Sequence, residues 1–279
     1  MTVSITGYRT RGLRPVLFII TAAVLLAKPS EQGLFYDQSV GAQMNPLGLA
    51  VDSRILYRIP LGKPGNILFE STKIDVGFQN LFTPADDLMA LYCTIEPIAV
   101  FDVTARVGFL ELFKLLGFGF IRLSGPTARY DGDATSGITQ EHHAGLWASI
   151  APRVKIQVWN FILAHTLTVN YFDMFITNYY FERHTDSVHR GTDFDINNDS
   201  YLFYKISDLL MVGANNFCLN VPSTGYVSDR VSAMLVFTPT LPCFYDLYAV
   251  IMAGSFVVDH YYVGKLYLAA MVGFTIKMF

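Results

Sequence analysis

Apolar and polar residues alternate along most of this chain, and the alternation predicts strands. The clearest case runs from Ile98 to Phe109. Ala99, Phe101, Val103, Ala105, Val107 and Phe109 line one face, and Asp102, Thr104 and Arg106 line the other. The last fifteen residues, Lys265 to Phe279, form a second long ribbon. Leu266, Leu268, Ala270, Val272, Phe274, Ile276 and Met278 make a wholly apolar side. Tyr267, Ala269, Met271, Gly273, Thr275, Lys277 and Phe279 make a mixed one. Such a strand, about twice the usual globular length, suits lipid on one side and a filled lumen on the other.

The same period predicts strands over Gly48–Arg58, around Ile74–Phe78, over Leu88–Glu96, Ala144–Val158 and Phe161–Tyr171, and from Tyr226 to Phe237. Ile176–Asp186, Asn198–Met211 and Phe244–Val258 add further candidates. Pro152 predicts a bulge or a turn inside its strand, because proline removes a ladder donor. The apolar phase flips at Trp159-Asn160, which predicts a tight turn there. Ser124–Glu141 is the longest polar, glycine-bearing stretch and reads as an external loop. Asn215–Ser223 also reads as a loop. The count gives twelve strands, with ten as the alternative. No internal repeat is evident along the sequence.

Composition narrows the class. The chain has 279 residues, 52% of them hydrophobic, 15% charged, and a formal net charge of −3. A soluble domain carries about 25% charged residues. No run of about 20 apolar residues exists, so helical spans are not expected. The apolar residues are spread in alternation, as in a membrane barrel. No basic block exists, so nucleic acid is not an expected partner. Cys93, Cys218 and Cys243 have no metal-binding spacing and read as free thiols, with a Cys218–Cys243 bridge as the alternative.

The expected domain organisation has three parts. Residues 1–27 read as a signal peptide, with Arg9, Arg11 and Arg14 before an apolar core from Leu17 to Leu26. Residues 28–46 read as a periplasmic lead-in, and 47–279 as the barrel. The fold class is thus all-β: a transmembrane, antiparallel, up-and-down β-barrel.

Gly273, Ile276, Met278 and the terminal Phe279 resemble the C-terminal assembly signal of Gram-negative outer-membrane β-barrel proteins. The chain departs from the common form, because Phe279 shares a face with Lys277 and Thr275 rather than with Ile276. The resemblance implies export to the outer membrane and two partners: outer-membrane lipid, and the barrel-assembly machinery through the C-terminal strand. It does not extend to a narrower family.

The candidate functional residues are charges placed opposite apolar faces: Asp52, Arg54, Arg58, Lys73, Asp75, Asp102, Arg106, Arg153, Lys155, Lys205, Asp208 and Lys277. They are expected to line the lumen. They bias the passage of ions or small solutes in one reading, and plug the barrel with salt bridges in the other. Tyr179-Tyr180 and Tyr261-Tyr262 are expected at the membrane interfaces.

Catalytic and metal readings are weaker. His142, His143 and Ser149 would be the residues of a lipid hydrolase, but no histidine stands two residues before a serine, the spacing used by outer-membrane lipid hydrolases. A nucleophile from another strand would still satisfy the geometry. Asp193, Asp195, Asn197 and Asp199 space oxygens like the start of a calcium loop, yet the sixth and twelfth positions are Asn198 and Tyr204. His184, Asp186 and His189 fit no regular zinc spacing. The expectation is a barrel with no catalytic, cofactor or metal residues: a small passive pore or transport barrel, or a plugged structural or adhesion barrel.

Overall fold

In a computed structural model of the chain, residues 30–45, 47–62, 69, 71–114, 120–127, 140–182, 187–260 and 262–279 are described. The expected signal peptide lies outside them, as do His184, Asp186 and Tyr261. Sixteen strands follow in order: β1 (Gly33–Met44), β2 (Gly48–Pro60), β3 (Lys73–Phe82), β4 (Asp86–Ile98), β5 (Phe101–Leu112), β6 (Phe120–Leu123), β7 (Gln140–Glu141), β8 (His143–Val158), β9 (Phe161–Asp173), β10 (Tyr179–Glu182), β11 (Ser187–Arg190), β12 (Thr192–Lys205), β13 (Leu210–Val221), β14 (Tyr226–Phe237), β15 (Asp246–Val258) and β16 (Leu266–Lys277). Twelve of them close an antiparallel barrel in the order β1-β16-β15-β14-β13-β12-β9-β8-β5-β4-β3-β2. The other four form a small sheet, β11-β10-β6-β7.

The apolar rows point outward. On β16, Val272 is 54% exposed while Tyr267 is fully covered. Val76, Phe78, Leu91, Val107, Phe109, Leu163 and Ile251 are likewise exposed on the outer wall. A water-soluble sandwich would turn such rows inward. This is the exterior of a membrane-spanning barrel of the outer-membrane type.

Several expectations need correction. The stretch set aside as a lead-in, 28–46, contains β1, which pairs with β2 on one side and β16 on the other. Asn215–Ser223 is not a loop; most of it belongs to β13. Pro152 makes neither bulge nor turn. It pairs with Val103 across β5, and the β8–β9 ladder merely skips it, resuming in the same register at Ile150–Val169 and Arg153–Thr166. Tyr180 is fully buried in the small sheet and presents no surface to a membrane interface. The turn at Trp159-Asn160 is present between β8 and β9.

Both ends of the barrel chain lie at one rim, called here the terminal rim. The longest connections, 113–142 and 174–191, lie at the opposite rim and carry the small sheet. This sheet caps that end. Phe120 stacks on Tyr180 at 5.1 Å and on His143 at 4.3 Å. Phe120 and Tyr180 are buried with Leu110, Leu112, Trp147 and Phe172 of the barrel. The β13–β14 turn joins the cap, where the Thr224 hydroxyl donates to the Val188 carbonyl at 2.8 Å.

The barrel divides into two halves whose strands match in register. β1–β5 with β8 make one half, and β9 with β12–β16 the other. Asp52-Ser53 and Tyr57-Arg58-Ile59 correspond to Asp199-Ser200 and Tyr204-Lys205-Ile206. Val76-Gly77-Phe78-Gln79-Asn80 corresponds to Val212-Gly213-Ala214-Asn215-Asn216, Asp87 to Asp229, Pro97 to Pro239, and Gly108 to Gly254. Ile156-Gln157-Val158-Trp159 corresponds to Ile276-Lys277-Met278-Phe279.

The hydrogen bonds repeat as well. Gln79 donates to Asp52 at 2.9 Å, and Asn215 to Asp199 at 2.6 Å. Arg54 bonds Asp52 as Tyr201 bonds Asp199. Asn80 bonds Asp87, and Asn216 donates to Asp229 at 2.6 Å. Ser53 donates to Gln38 at 3.0 Å, and Ser200 pairs with His165 at 2.8 Å. Identity is sparse, and connections of unequal length shift the spacing between matched strands. Register brings out the correspondence.

Gly108 and Gly254 occupy equivalent inward positions where the neighbouring strand comes close. A Cβ would stand 1.9 Å from the Met89 carbonyl oxygen at Gly108 and 2.2 Å from that of Val231 at Gly254. Gly108→Val and Gly254→Val should each cost about 3 kcal/mol or abolish assembly. Gly41→Ala, whose Cβ meets nothing nearer than 3.6 Å, should be tolerated. The heat-modifiable shift of the folded barrel on an unheated gel reads all three.

Candidate functional site: the lumen wall

Because side chains alternate, each strand contributes every second residue to the interior. The inward charges are concentrated on β2–β5 and β8. Nearest the terminal rim, Arg58 holds Asp75 through two bonds of 2.8 and 3.0 Å. Its guanidinium also lies 4.5 Å from the centre of the Phe35 ring. Lys73 sits 4.0 Å from Asp75 and 3.8 Å from Glu96. Lys155 continues the chain, 3.1 Å from Glu96 and 3.8 Å from Asp102. Arg153 closes on Asp102 at 2.8 Å.

A second string lies deeper. Asp52 takes bonds from Arg54 and Gln79, and Arg106 donates to Gln79 at 3.1 Å and to Ser149 at 3.5 Å. Thus Asp52, Arg54, Arg58, Lys73, Asp75, Asp102, Arg106, Arg153 and Lys155 come together on one wall. Charges so deeply placed persist only when paired, since a lone buried ion is costly.

Three candidates fall elsewhere. Asp208 does not face the lumen: β12 ends at Lys205, and Asp208 stands in the following turn, 86% exposed, bonded to Lys205 at 2.7 Å. That lysine holds its carboxyl below the usual range. Lys205 belongs to the opposite half. Lys277 lies at the terminal rim, bonded to Glu31 at 2.6 Å. Sequence reading missed Glu96 and Gln79, which lie on the inward faces of their strands. It also missed Asp37, which sits on the unrecognised β1.

The opposite wall differs at the same depth. Ile162, Phe203, Met211, Met234, Val236, Val250, Met252 and Met271 fill it with apolar groups. Polar groups stand among them as well: at the depth of Asp52 and Gln79, Asn215 donates to Asp199 at 2.6 Å, and more follow toward the capped rim. Arg230, 1% exposed, lies 3.9 Å from the centre of the Tyr267 ring. Asn170 donates to Asp195 at 2.7 Å.

The terminal strand completes the wall. Gly273 faces inward beneath the Tyr248 ring, which a Cβ would meet at 2.4 Å. Ile276 is on the outer side, while Met278 and Phe279 are exposed beyond the strand end. Their backbones pair with Leu34: Met278 donates to the Leu34 carbonyl, and Leu34 to the Phe279 carbonyl, both at 2.8 Å.

The hydrolase residues are not assembled. Ser149 is buried inside the barrel, His143 bonds the Met174 carbonyl at 2.7 Å, and His142 pairs with Glu111 at 2.8 Å. His165 and Ser200 do touch on the outer wall, but Gln38 and Ser53 make the same bond in the other half. The pair therefore reads as a cross-strand contact. Asp193, Asp195, Asn197 and Asp199 lie along extended β12 rather than in a loop, which removes the calcium-loop geometry. No group of three His, Cys, Asp or Glu residues suited to a metal is found among the described residues. The three cysteines are free thiols.

No protein-family model matches the chain, and no curated protein sequence matches it. Among solved structures, it is similar to the β domain of the Bordetella autotransporter Brka at 10% identity, covering 90% of this chain and 100% of that one, with a TM-score of 0.47. It is similar to the NanC porin at 11% identity, 87% and 100% coverage and a TM-score of 0.41. OmpT, an outer membrane protein of Vibrio cholerae, gives 8%, 88% and 98%, and 0.38. At such distances the functions of those proteins remain their own.

Two outcomes follow from this geometry. Asp102→Ala strips Arg153 of its partner and should lower stability by about 3–5 kcal/mol, measured by urea unfolding in lipid vesicles. In the cap, His189 is fully buried, and burial pushes its imidazole down to about 4, with the Asp193 carboxylate pulling the other way. The unfolded cap takes up this proton first. Cap stability should therefore fall as pH drops from about 6.5 toward 4. Hydrogen exchange at Val188–Arg190, corrected for intrinsic rates, should speed up at pH 5, and His189→Gln should flatten that response.

Proposed function

We propose that the chain is an outer-membrane transport barrel with a narrow path for small ions or polar solutes along the wall of β1–β5 and β8. One observation carries this reading: the two halves fill the same depth of the barrel differently. The second half sets Met211 and Met252 where the first has Asp75 and Arg106, so an apolar side chain can fill those two places. Replacing a buried ion network by apolar groups is often neutral or stabilising. A wall of Arg, Lys, Asp and Glu therefore supports a role beyond filling. Rows of fixed charge are how pores favour one sign of ion.

The proposal places the terminal rim in the periplasm of a Gram-negative-type envelope and the cap outside. Outer-membrane lipid contacts the apolar wall. The barrel-assembly machinery engages β16 through Gly273, Ile276, Met278 and Phe279. A second reading is a sealed barrel whose cap meets a partner. It is favoured by the mutual pairing of the charges, whose side chains are at most 22% exposed from Arg58 through Arg153.

Recordings in planar bilayers separate the two. The transport reading expects discrete, small conductance steps in salt. It also expects Arg106→Gln to shift the reversal potential toward cation preference, because one fixed positive charge is lost. Bilayers that stay at baseline while the barrel remains folded would favour the sealed form.

A further inference from the structure

Two outward rows of hydrogen-bonded partners climb the barrel from one rim to the other. The first runs Phe101, Val154, His165, Ser200, Asn216, Val231, Ser255, Leu266, one residue per strand from β5 to β16. Phe101 begins its strand at the terminal rim, and Leu266 begins its own at the capped rim. Ser200 and Asn216 are therefore midway through the membrane band. The second row passes through Gln38, Ser53 and Asn80 at the same depth. His165 bonds Ser200 and Gln38 bonds Ser53 within these rows, while Asn216 bonds Asp229 and Asn80 bonds Asp87 beside them, so lipid contact costs these paired groups little.

The second half has an extra polar group. Asn198 faces outward two residues from Ser200, between Leu167 and Cys218. Its counterpart in the first half is Val51. Cys218 likewise stands where the first half has Phe82. Among the described residues, the Asn198 amide has no hydrogen-bond partner. An unpaired amide deep in hydrocarbon is unfavourable. Around it Leu163, Phe194, Leu202 and Val231 are exposed.

We propose that a second copy of this chain packs against this face, with Asn198 at the centre of the contact. An amide both donates and accepts, so it can pair with itself across a two-fold axis. Two copies sharing one orientation in the membrane must be related by an axis parallel to the barrel. Such an axis brings residues of equal depth together. Asn198 then meets Asn198, and Cys218 lies beside the contact. Amide bonds of this kind hold membrane segments together.

The test uses the full chain in vesicles of phospholipid, oxidised with copper-phenanthroline. Wild type should give a band of twice the mass that disappears in Cys218→Ser and persists in Cys93→Ser and Cys243→Ser. Asn198→Val, which copies the first half and should stay folded by its heat-modifiable shift, should lower the dimer fraction about tenfold. In a background with all three cysteines replaced by serine, Asn198→Cys should cross-link directly. A folded barrel that gives no Cys218 or Asn198→Cys dimer overturns the proposal. So does a cross-link to a different protein, or a dimer unaffected by Asn198→Val.

Discussion

Everything in this barrel follows from the need to pair each backbone N–H and C=O inside hydrocarbon, where no water can substitute. A sheet meets that need only by closing on itself. Here closure falls on β1 and β16, paired from Phe35–Lys277 to Met44–Leu268. Once the ring is shut, side-chain alternation leaves no freedom: one row meets lipid and the next meets the interior. The outer row must be apolar, and the inner row must fill a space of fixed radius.

The two halves solve the filling problem by different physics. Met, Phe and Val on β13–β16 gain from contact and removal from water. The charged wall gains nothing until each ion finds its opposite. Hence the continuous string from Arg58 through Asp75, Lys73, Glu96, Lys155 and Asp102 to Arg153. Its geometry is interdependent, because Asp75, Glu96 and Asp102 each serve more than one cation.

Strands with one apolar face were legible from sequence, such as Phe101–Leu112 and Leu266–Lys277. β1 was not, because Asp37, Gln38, Ser39 and Gln43 put polar groups on both faces. Gln38 faces outward, and only its bond with Ser53 across β2 makes that tolerable. β13 failed for the same reason: Asn215 and Asn216 look like a loop until their partners Asp199 and Asp229 are seen. The charges at the lumen wall could be picked by alternation alone, but alternation cannot show where a strand stops, so Asp208 was misplaced. The cap was invisible as a cap, since four short strands from two connections gain their meaning only together.

The register match between the halves also describes the closing seam. β8 ends the first half and β9 begins the second, joined by Trp159-Asn160, with Val158 opposite Phe161. β16 and β1 are their counterparts. Met278 corresponds to Val158 and Leu34 to Phe161, and these two residues are bonded at the seam. The seam is thus the β8–β9 hairpin interface repeated without its connecting turn. A hairpin is held in register by a short loop, and the seam has no such tether. What aligns it must be the ladder itself and the side chains beside it. Leu34 therefore holds the last two residues of the chain through backbone bonds on both sides. A six-stranded half alone would leave both of these edges open to lipid, so the fold is complete only when the second half returns to the first.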